Sequence, residues 1–280
     1  MSKQTRKRRF RIGTWWRRVW RDHRPKVVAA VTLLVLPTAA AVIAQVAGNR
    51  LESAEHGPPV KARLLSVDRT RPAGFDWLFA EPQEFGGADL NSLAAAIESR
   101  DHKGIRERGG VDPLALSVSI LIQGQRRAGT TITGLESNPV CGKPLSGALV
   151  YGPNPGGGPQ KNPRIVFDLD QPDPRAADAK SLGSDYFQEN SISLSKDEQV
   201  VVVVELRTNL HHCTVTLEVT ANDGDRTERI AVDTEGRRLS VSGYADGAGA
   251  TELVRDFGRY ERLYQYQDGQ VAPARPETFK

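Results

Sequence analysis

The sequence predicts a mainly β protein in which one N-terminal transmembrane helix precedes an antiparallel β-sandwich, Ig-like or jelly-roll-like, with one surface helix. Three observations favour this fold class. Between residues 113 and 245, roughly eight or nine short runs alternate apolar and polar residues and are separated by Gly, Pro, Asn and Asp turns. The 26 Gly and 17 Pro, against 8 Phe and 4 Trp, suit short strands with many turns. Residues 27–48 form a separate uncharged stretch.

The uncharged stretch predicts a membrane anchor. A helix over residues 27–48 rises roughly 33 Å, which spans a bilayer core, and Pro37 is tolerated inside such a helix. The alternative is a cleaved secretory signal, with Ala39 and Ala41 as the small cleavage pair. The retained anchor is favoured because the apolar run continues beyond Ala41. Both interpretations export the C-terminal domain.

The charge of the N-terminal tail predicts the orientation. Residues 1–26 hold eleven Lys or Arg against the single acid Asp22. Because such an excess stays on the cytoplasmic side, the N-terminus is predicted inside and the residues after 49 outside the cell membrane. Residues 1–26 carry a net charge of +10 and residues 27–280 carry −6, so the overall charge of +4 is positive only because of the tail, and no nucleic-acid partner is predicted.

Part of this tail has the composition of a membrane-surface helix. Its tryptophans are predicted at the headgroup level, with its basic residues against anionic lipid of the inner leaflet. An orientation signal exposed to solvent is the alternative interpretation. The predicted interface residues are Trp15, Trp16, Arg17, Arg18, Trp20, Arg21, Arg24 and Lys26.

Changes in pattern divide the chain into six segments. They are a basic cytoplasmic tail (1–26), a transmembrane helix (27–48), a linker (49–61), a loop with an amphipathic helix packed on the sandwich (62–112), the extracytoplasmic β-sandwich (113–245), and a short helix with a disordered tail (246–280). The amphipathic helix is predicted over Ala88–Arg108 with Asp89 as its cap. The last helix is predicted from apolar residues between Leu253 and Tyr264.

The two cysteines predict a disulfide. An exported pair such as Cys141 and Cys213 is more often oxidised than metal-bound. Cys213 is in phase with Val215 and Leu217, which predicts that its side chain faces the core. The bond is predicted to join the starts of two strands.

The sequence provides no convincing catalytic set, and no catalytic, cofactor-binding or metal-binding residue is predicted. The acidic residues Asp168, Asp170 and Asp173 raise the question of calcium, but their spacing lacks the glycine and distal Glu of an EF-hand loop. A solvated strand end and turn is the favoured interpretation. The His211-His212-Cys213 run has metal-ligand residue types, but neighbouring residues of a strand point to opposite faces, so only His211 and Cys213 could share an ion. The predicted oxidation of Cys213 disfavours that site.

Residues 131–241 carry several short motifs that resemble a known group of proteins. The motifs are Ile132-Thr133-Gly134-Leu135, Pro144-Leu145-Ser146-Gly147, Phe167-Asp168-Leu169-Asp170 with Pro172, Gly183 with Tyr186-Phe187, and His212-Cys213. The stretch resembles uncharacterised actinobacterial single-pass membrane proteins with an extracytoplasmic β-sandwich-like domain. The resemblance implies topology and fold class, and it implies no activity.

These observations predict a membrane-anchored, non-enzymatic binding or interaction protein. The expected partners are the lipid bilayer, through the basic tail, and an extracytoplasmic protein or cell-envelope ligand. Two alternatives stand beside this prediction. One is a transmembrane signalling or regulatory protein with a sensing outer domain, and the other is a secreted or anchored hydrolase.

Overall fold

The computed structural model describes residues 57–69, 75–152, 165–224, 226–247 and 256–279. The predicted cytoplasmic tail, membrane segment and most of the linker lie outside these residues. In the described part, no helix is both long and apolar enough to cross a membrane. Pro58–Lys280 forms one compact unit, and its described strands make three sheets.

The strands are, in chain order, β1 (Val60–Arg69), β2 (Trp77–Phe79), β3 (Asp112–Pro113), β4 (Ala115–Gly124), β5 (Thr130–Gly142), β6 (Ala148–Tyr151), β7 (Ile165–Asp168), β8 (Ala177–Asp178), β9 (Ser181–Asp185), β10 (Ile192–Leu194), β11 (Gln199–Arg207), β12 (His212–Asp223), β13 (Arg226–Ala231), β14 (Leu239–Ser242), β15 (Arg262–Gln267) and β16 (Gln270–Ala274). The helices are α1 (Gly87–Glu98), α2 (His102–Glu107) and α3 (Tyr186–Glu189). Phe257–Arg259 and Pro276–Phe279 form 3₁₀ turns.

Two of the sheets pack their apolar faces together, as a sandwich does. The first sheet has the order β1-β4-β11-β7-β8-β9, and the second has the order β10-β5-β12-β14-β3, with β13 on β12. Alternating residues of β4, such as Val118 and Ile120, meet residues of β12, such as Leu217 and Val219, in one buried core. The structure therefore confirms a mainly β chain with a sandwich-like arrangement.

The sheets are mixed, which corrects the prediction of a purely antiparallel sandwich. The pairs β7–β11, β3–β14 and β6–β15 are parallel, and the other pairs are antiparallel. Parallel neighbours need crossover connections: β8, β9, α3 and β10 lie between β7 and β11, and most of the sandwich lies between β6 and β15. The sandwich also recruits β1, which lies outside the predicted sandwich segment of residues 113–245.

A third sheet, β16-β15-β6-β2, corrects the prediction for the C-terminal segment. The predicted helix residues Leu263 and Tyr264 lie in β15, and most of the predicted disordered tail forms β16 and a 3₁₀ turn. Apolar spacing over residues 257–264 suits a helix, but β15 is buried on both faces. Leu263 enters one core and Tyr264 another, as alternate strand residues do.

The predicted long helix is two helices that cover this third sheet. Arg100, at a φ of 59°, breaks the helix after α1, and Asp101 starts α2 by accepting the Gly104 N–H at 3.0 Å. Gly86 is the N-cap of α1, and Asp89 accepts the Gly86 N–H at 3.3 Å. Apolar residues of α1 pack with Tyr264 and Val271 rather than on the sandwich.

The predicted disulfide is present and joins two adjacent strands. Cys141 and Cys213 are register partners on β5 and β12, with an S–S distance of 2.05 Å. Cys213 is fully buried in the sandwich core, as its phase predicts. Cys141 lies near the end of β5 rather than at the start of the following strand, because β5 runs longer than the sequence pattern indicates. The bond thus joins a strand end to a strand start.

Replacing both cysteines should destabilise the β domain. On chain-entropy grounds, a bond across 72 residues stabilises the fold by about 4 kcal/mol. We expect the C141A/C213A variant of the full chain to lose free energy of unfolding by about that amount in urea titrations. Reductant should lower the midpoint of the wild type only. A loss below about 1 kcal/mol would contradict the prediction.

Candidate functional site

The acidic residues singled out in the sequence stabilise turns. Asp170 accepts hydrogen bonds from the Thr208 hydroxyl at 2.5 Å, the Asn209 N–H at 2.7 Å and the Leu210 N–H at 3.2 Å. Burial raises the pKa of Asp170, but these bonds and one from His211 outweigh it and lower the pKa. In the described part of the chain, no group of three or more His, Cys, Asp or Glu residues is arranged to hold a metal ion.

The three residues of the His211-His212-Cys213 run go to three different partners. His211 Nδ1 lies 3.1 Å from the Asp170 carboxylate, and His212 Nε2 lies 2.8 Å from the Ser240 hydroxyl. Cys213 is in the disulfide. The alternation of β12 separates His212 from Cys213, whereas His211 precedes the strand and contacts Asp170.

The strongest candidate site is a cleft that sequence reasoning missed, and we name it the arginine cleft. It lies between β1, α2 and the turn before β14, and its volume is about 700 Å³. A cavity of about 90 Å³, the inner pocket, adjoins it and shares two residues with it, Arg106 and Arg238. The cleft is lined by Leu65, Ser66, Val67, Lys103, Arg106, Glu107, Glu235, Gly236, Arg237 and Arg238. The inner pocket is lined by Arg106, Gly109, Gly110, Val111, Arg238 and Ser240.

A buried carboxylate fixes Arg106 in the wall of the cleft. The Asp112 side chain is 0 % exposed and accepts a hydrogen bond from Arg106 Nε at 2.7 Å. Arg106 Nη1 donates to the Val67 carbonyl at 3.1 Å. The Arg69 Nε lies 3.7 Å from the other oxygen of Asp112. One carboxylate thus faces two guanidinium groups, which holds both but does not neutralise both.

An aromatic and polar layer supports this pair from below. The Arg69 guanidinium lies 4.1 Å from the Trp77 ring centroid, and Arg69 also donates to the Asp76 carbonyl. The Asp76 carboxylate accepts the Tyr244 hydroxyl at 2.6 Å and the Gly152 N–H at 2.9 Å. Burial lowers the pKa of Arg69, while Asp112 and Asp76 favour its charged form.

The arginines of the cleft differ in how many hydrogen-bond partners they have. Arg237 donates to the Leu64 carbonyl at 2.6 Å and to Glu235 at 3.3 Å, which gives it a structural role. By contrast, Arg106 Nη2 is buried without a hydrogen-bond partner among the described residues. Arg238 is exposed and donates to the Thr214 hydroxyl at 2.9 and 3.2 Å, with no carboxylate partner in the described part. Arg106 and Arg238 therefore retain binding capacity.

Two histidines near the cleft have lowered pKa values, and the positive charge of the arginines contributes to this. Burial, then the Arg69 charge, lowers the pKa of His102 to about 4, although Asp112 acts in the opposite direction. Burial, then the Arg238 charge, lowers the pKa of His212. Both imidazoles are therefore neutral at pH 7, so neither adds to the positive charge of the arginines.

A second cleft, of about 900 Å³, is a weaker candidate. Its lining includes Gly183 of the motif set and three acidic residues, Asp168, Asp173 and Asp185. These carboxylates have local partners. Asp185 caps α3 by accepting the Phe187 N–H at 3.0 Å, and Asp173 pairs with Arg175 at 3.5 Å. The cleft thus contains charges of both signs, and its Asp173 and Asp185 carboxylates already have partners within the chain.

Sequence reasoning missed the arginine cleft because its key residues are far apart in the chain. Arg69 ends β1, Arg106 lies on α2, Asp112 begins β3, and Arg238 precedes β14. No local motif connects them, since only the pairing of strands brings them together. Comparison of the chain with known protein families, curated proteins and solved structures finds no match.

Removing the shared carboxylate should destabilise the fold far more than removing an exposed one. We expect Asp112→Ala to lower the free energy of unfolding by about 3–5 kcal/mol, because it leaves two guanidiniums buried without their anion. Glu107→Ala removes the solvent-exposed partner of Lys103 on the same cleft and should change it by about 0.5 kcal/mol or less. Urea titrations of both variants measure the contrast, and equal losses would refute it.

His102 should make the fold less stable in mild acid. The unfolded state binds a proton near pH 6.5, whereas folded His102 does so only near pH 4. Between these values the unfolded state binds more protons, so stability falls as the pH falls. We expect His102→Gln to reduce this slope in denaturation midpoints measured from pH 7 to pH 4. An unchanged slope would contradict the assignment. His212 is intact in both proteins, so its contribution cancels.

Proposed function

We propose that the chain is a membrane-anchored, extracytoplasmic, non-enzymatic binding protein whose ligand contacts the arginine cleft. The observation that carries this proposal is the state of Arg106. Its guanidinium is fixed by Asp112 and Val67, yet one buried nitrogen has no hydrogen-bond partner among the described residues. A rigid donor in the wall of a cleft suits recognition of an acceptor group.

Several features support the proposed location. The disulfide between Cys141 and Cys213 suits an oxidising compartment. The uncharged residues 27–48, preceded by a basic tail, suit a single anchor with its N-terminus in the cytoplasm. Contact of the tail with anionic inner-leaflet lipid, and the likeness to actinobacterial single-pass proteins, belong to the same proposal.

One contact favours a second candidate function, an anchored hydrolase. His212 Nε2 lies 2.8 Å from Ser240 Oγ beside the inner pocket, and its lowered pKa keeps the ring neutral, as a general base requires. In a hydrolytic triad, an acidic group orients the histidine. Among the described residues, no carboxylate forms a hydrogen bond with His212. The binding function is therefore the better supported of the two.

The proposed location predicts blocked thiols and an exposed domain. The full chain is taken from intact cells, denatured and treated with a maleimide-polymer reagent. It should be labelled only if a reductant is added before the reagent. The Cys141→Ala variant has a free Cys213 thiol and should be labelled without reductant, so it is the matched control. External protease should digest the domain in spheroplasts. Reduced thiols together with protection from protease would refute the proposal.

If the protein is not an enzyme, replacing Ser240 should leave the background rate of hydrolysis unchanged. The purified full chain and its Ser240→Ala variant should show the same background rate with aryl esters, peptides and aryl glycosides. A rate well above background that Ser240→Ala abolishes would favour the hydrolase instead.

A further inference from the structure

We propose that the inner pocket binds a phosphate group, carried either by a free phosphate compound or by a lipid headgroup. The inference rests on the proposed binding function and assigns the class of its ligand. Arg106 and Arg238 are the residues that hold the group, and the arginine cleft accommodates whatever the phosphate is attached to. Both arginines line both cavities.

Arg106 is held ready for such a ligand. Its Nε and Nη1 are held by Asp112 and the Val67 carbonyl, so binding would freeze little further side-chain motion. Its Nη2 has no partner among the described residues and is buried. A guanidinium held through two of its nitrogens offers an oxyanion a positive charge in a fixed position, which a flexible lysine does not.

Arg238 supplies the second charge. Its contact in the described part of the chain is with the neutral hydroxyl of Thr214. Asp112 is shared between Arg69 and Arg106, and Asp76 adds a second carboxylate near Arg69, so neither carboxylate is a partner of Arg238. The cleft's own carboxylates lie beside other cations, Glu107 by Lys103 and Glu235 by Arg237. The exposed charge of Arg238 beside the fixed guanidinium of Arg106 suits an oxyanion such as a phosphate.

The donors in this pocket come from side chains. The backbone N–H groups of Gly109, Gly110 and Val111 already donate to carbonyls at 2.8–3.0 Å. Ser240 lines the pocket, and its hydroxyl lies 2.8 Å from His212 Nε2. Burial and the Arg238 charge favour the neutral form of His212. The neutral ring either accepts a hydrogen bond from the Ser240 hydroxyl or donates one to it, according to the tautomer.

The size of the two cavities suits a phosphate with an attached group. The inner pocket, at about 90 Å³, has room for a small polyatomic anion. It adjoins the arginine cleft, whose volume of about 700 Å³ is within the range of small-molecule sites. The cleft also exposes Leu65, which is 45 % accessible, beside the cations. An ester with some apolar surface fits this combination.

Calorimetry with inorganic phosphate tests the inference. The full chain in phosphatidylcholine nanodiscs is titrated with phosphate at constant ionic strength, and we expect saturable binding. Arg238→Gln should weaken it about tenfold or more, because it removes a charge-assisted contact from an exposed side chain. Arg175→Gln removes the same charge from the second cleft and should leave the affinity unchanged. Absence of saturable binding, or an equal affinity in Arg238→Gln, would overturn the inference.

A second arm distinguishes the source of the phosphate. In nanodiscs that contain phosphatidylglycerol, weaker binding of inorganic phosphate than in discs given the same surface charge by a fatty acid shows that a phospholipid headgroup occupies the pocket. Equal binding in these two kinds of disc assigns the pocket to a free phosphate compound. Failure of phosphate binding leaves the thiol and protease measurements intact, so it is distinct from failure of the proposed function.

Discussion

The buried carboxylate of Asp112 is the point at which the parts of the domain meet. Asp112 lies on β3 at the edge of the second sheet, Arg69 ends a strand of the first sheet, and Arg106 belongs to α2. The Arg69 guanidinium in turn covers Trp77, which lies on β2 of the third sheet. One charged contact therefore connects all three sheets and the helical layer, whereas the hydrophobic cores connect them only in part.

The two other fixed features are the sandwich core and the disulfide. The core draws on alternate residues of β1, β4, β11, β5 and β12, which is why the period of two was visible in the sequence. The disulfide lies in the register of β5 and β12, so it reinforces a pairing that the backbone already makes. Together they hold the scaffold on which the residues of the arginine cleft are placed.

Sequence could predict what neighbouring residues encode. Alternation revealed most sandwich strands and the inward face of Cys213. The third sheet was missed because β6 and β15 pair in parallel across more than a hundred residues. The Asp268-Gly269 dipeptide, with both φ values positive, forms the tight turn between β15 and β16, and it is the local sequence signal of this hairpin. The arginine cleft had no local signal at all.

The charged cluster is difficult to explain by stability alone. Apolar residues of similar volume would often serve a buried site as well as an ion pair, because desolvation offsets much of the attraction between charges. Here the desolvation is severe: the Arg69 side chain is 7 % exposed and its pKa is lowered, while Arg106 leaves one buried nitrogen without a partner in the described chain. An arrangement that is so costly for folding, and that opens into a cleft, is better explained by an acceptor that completes it.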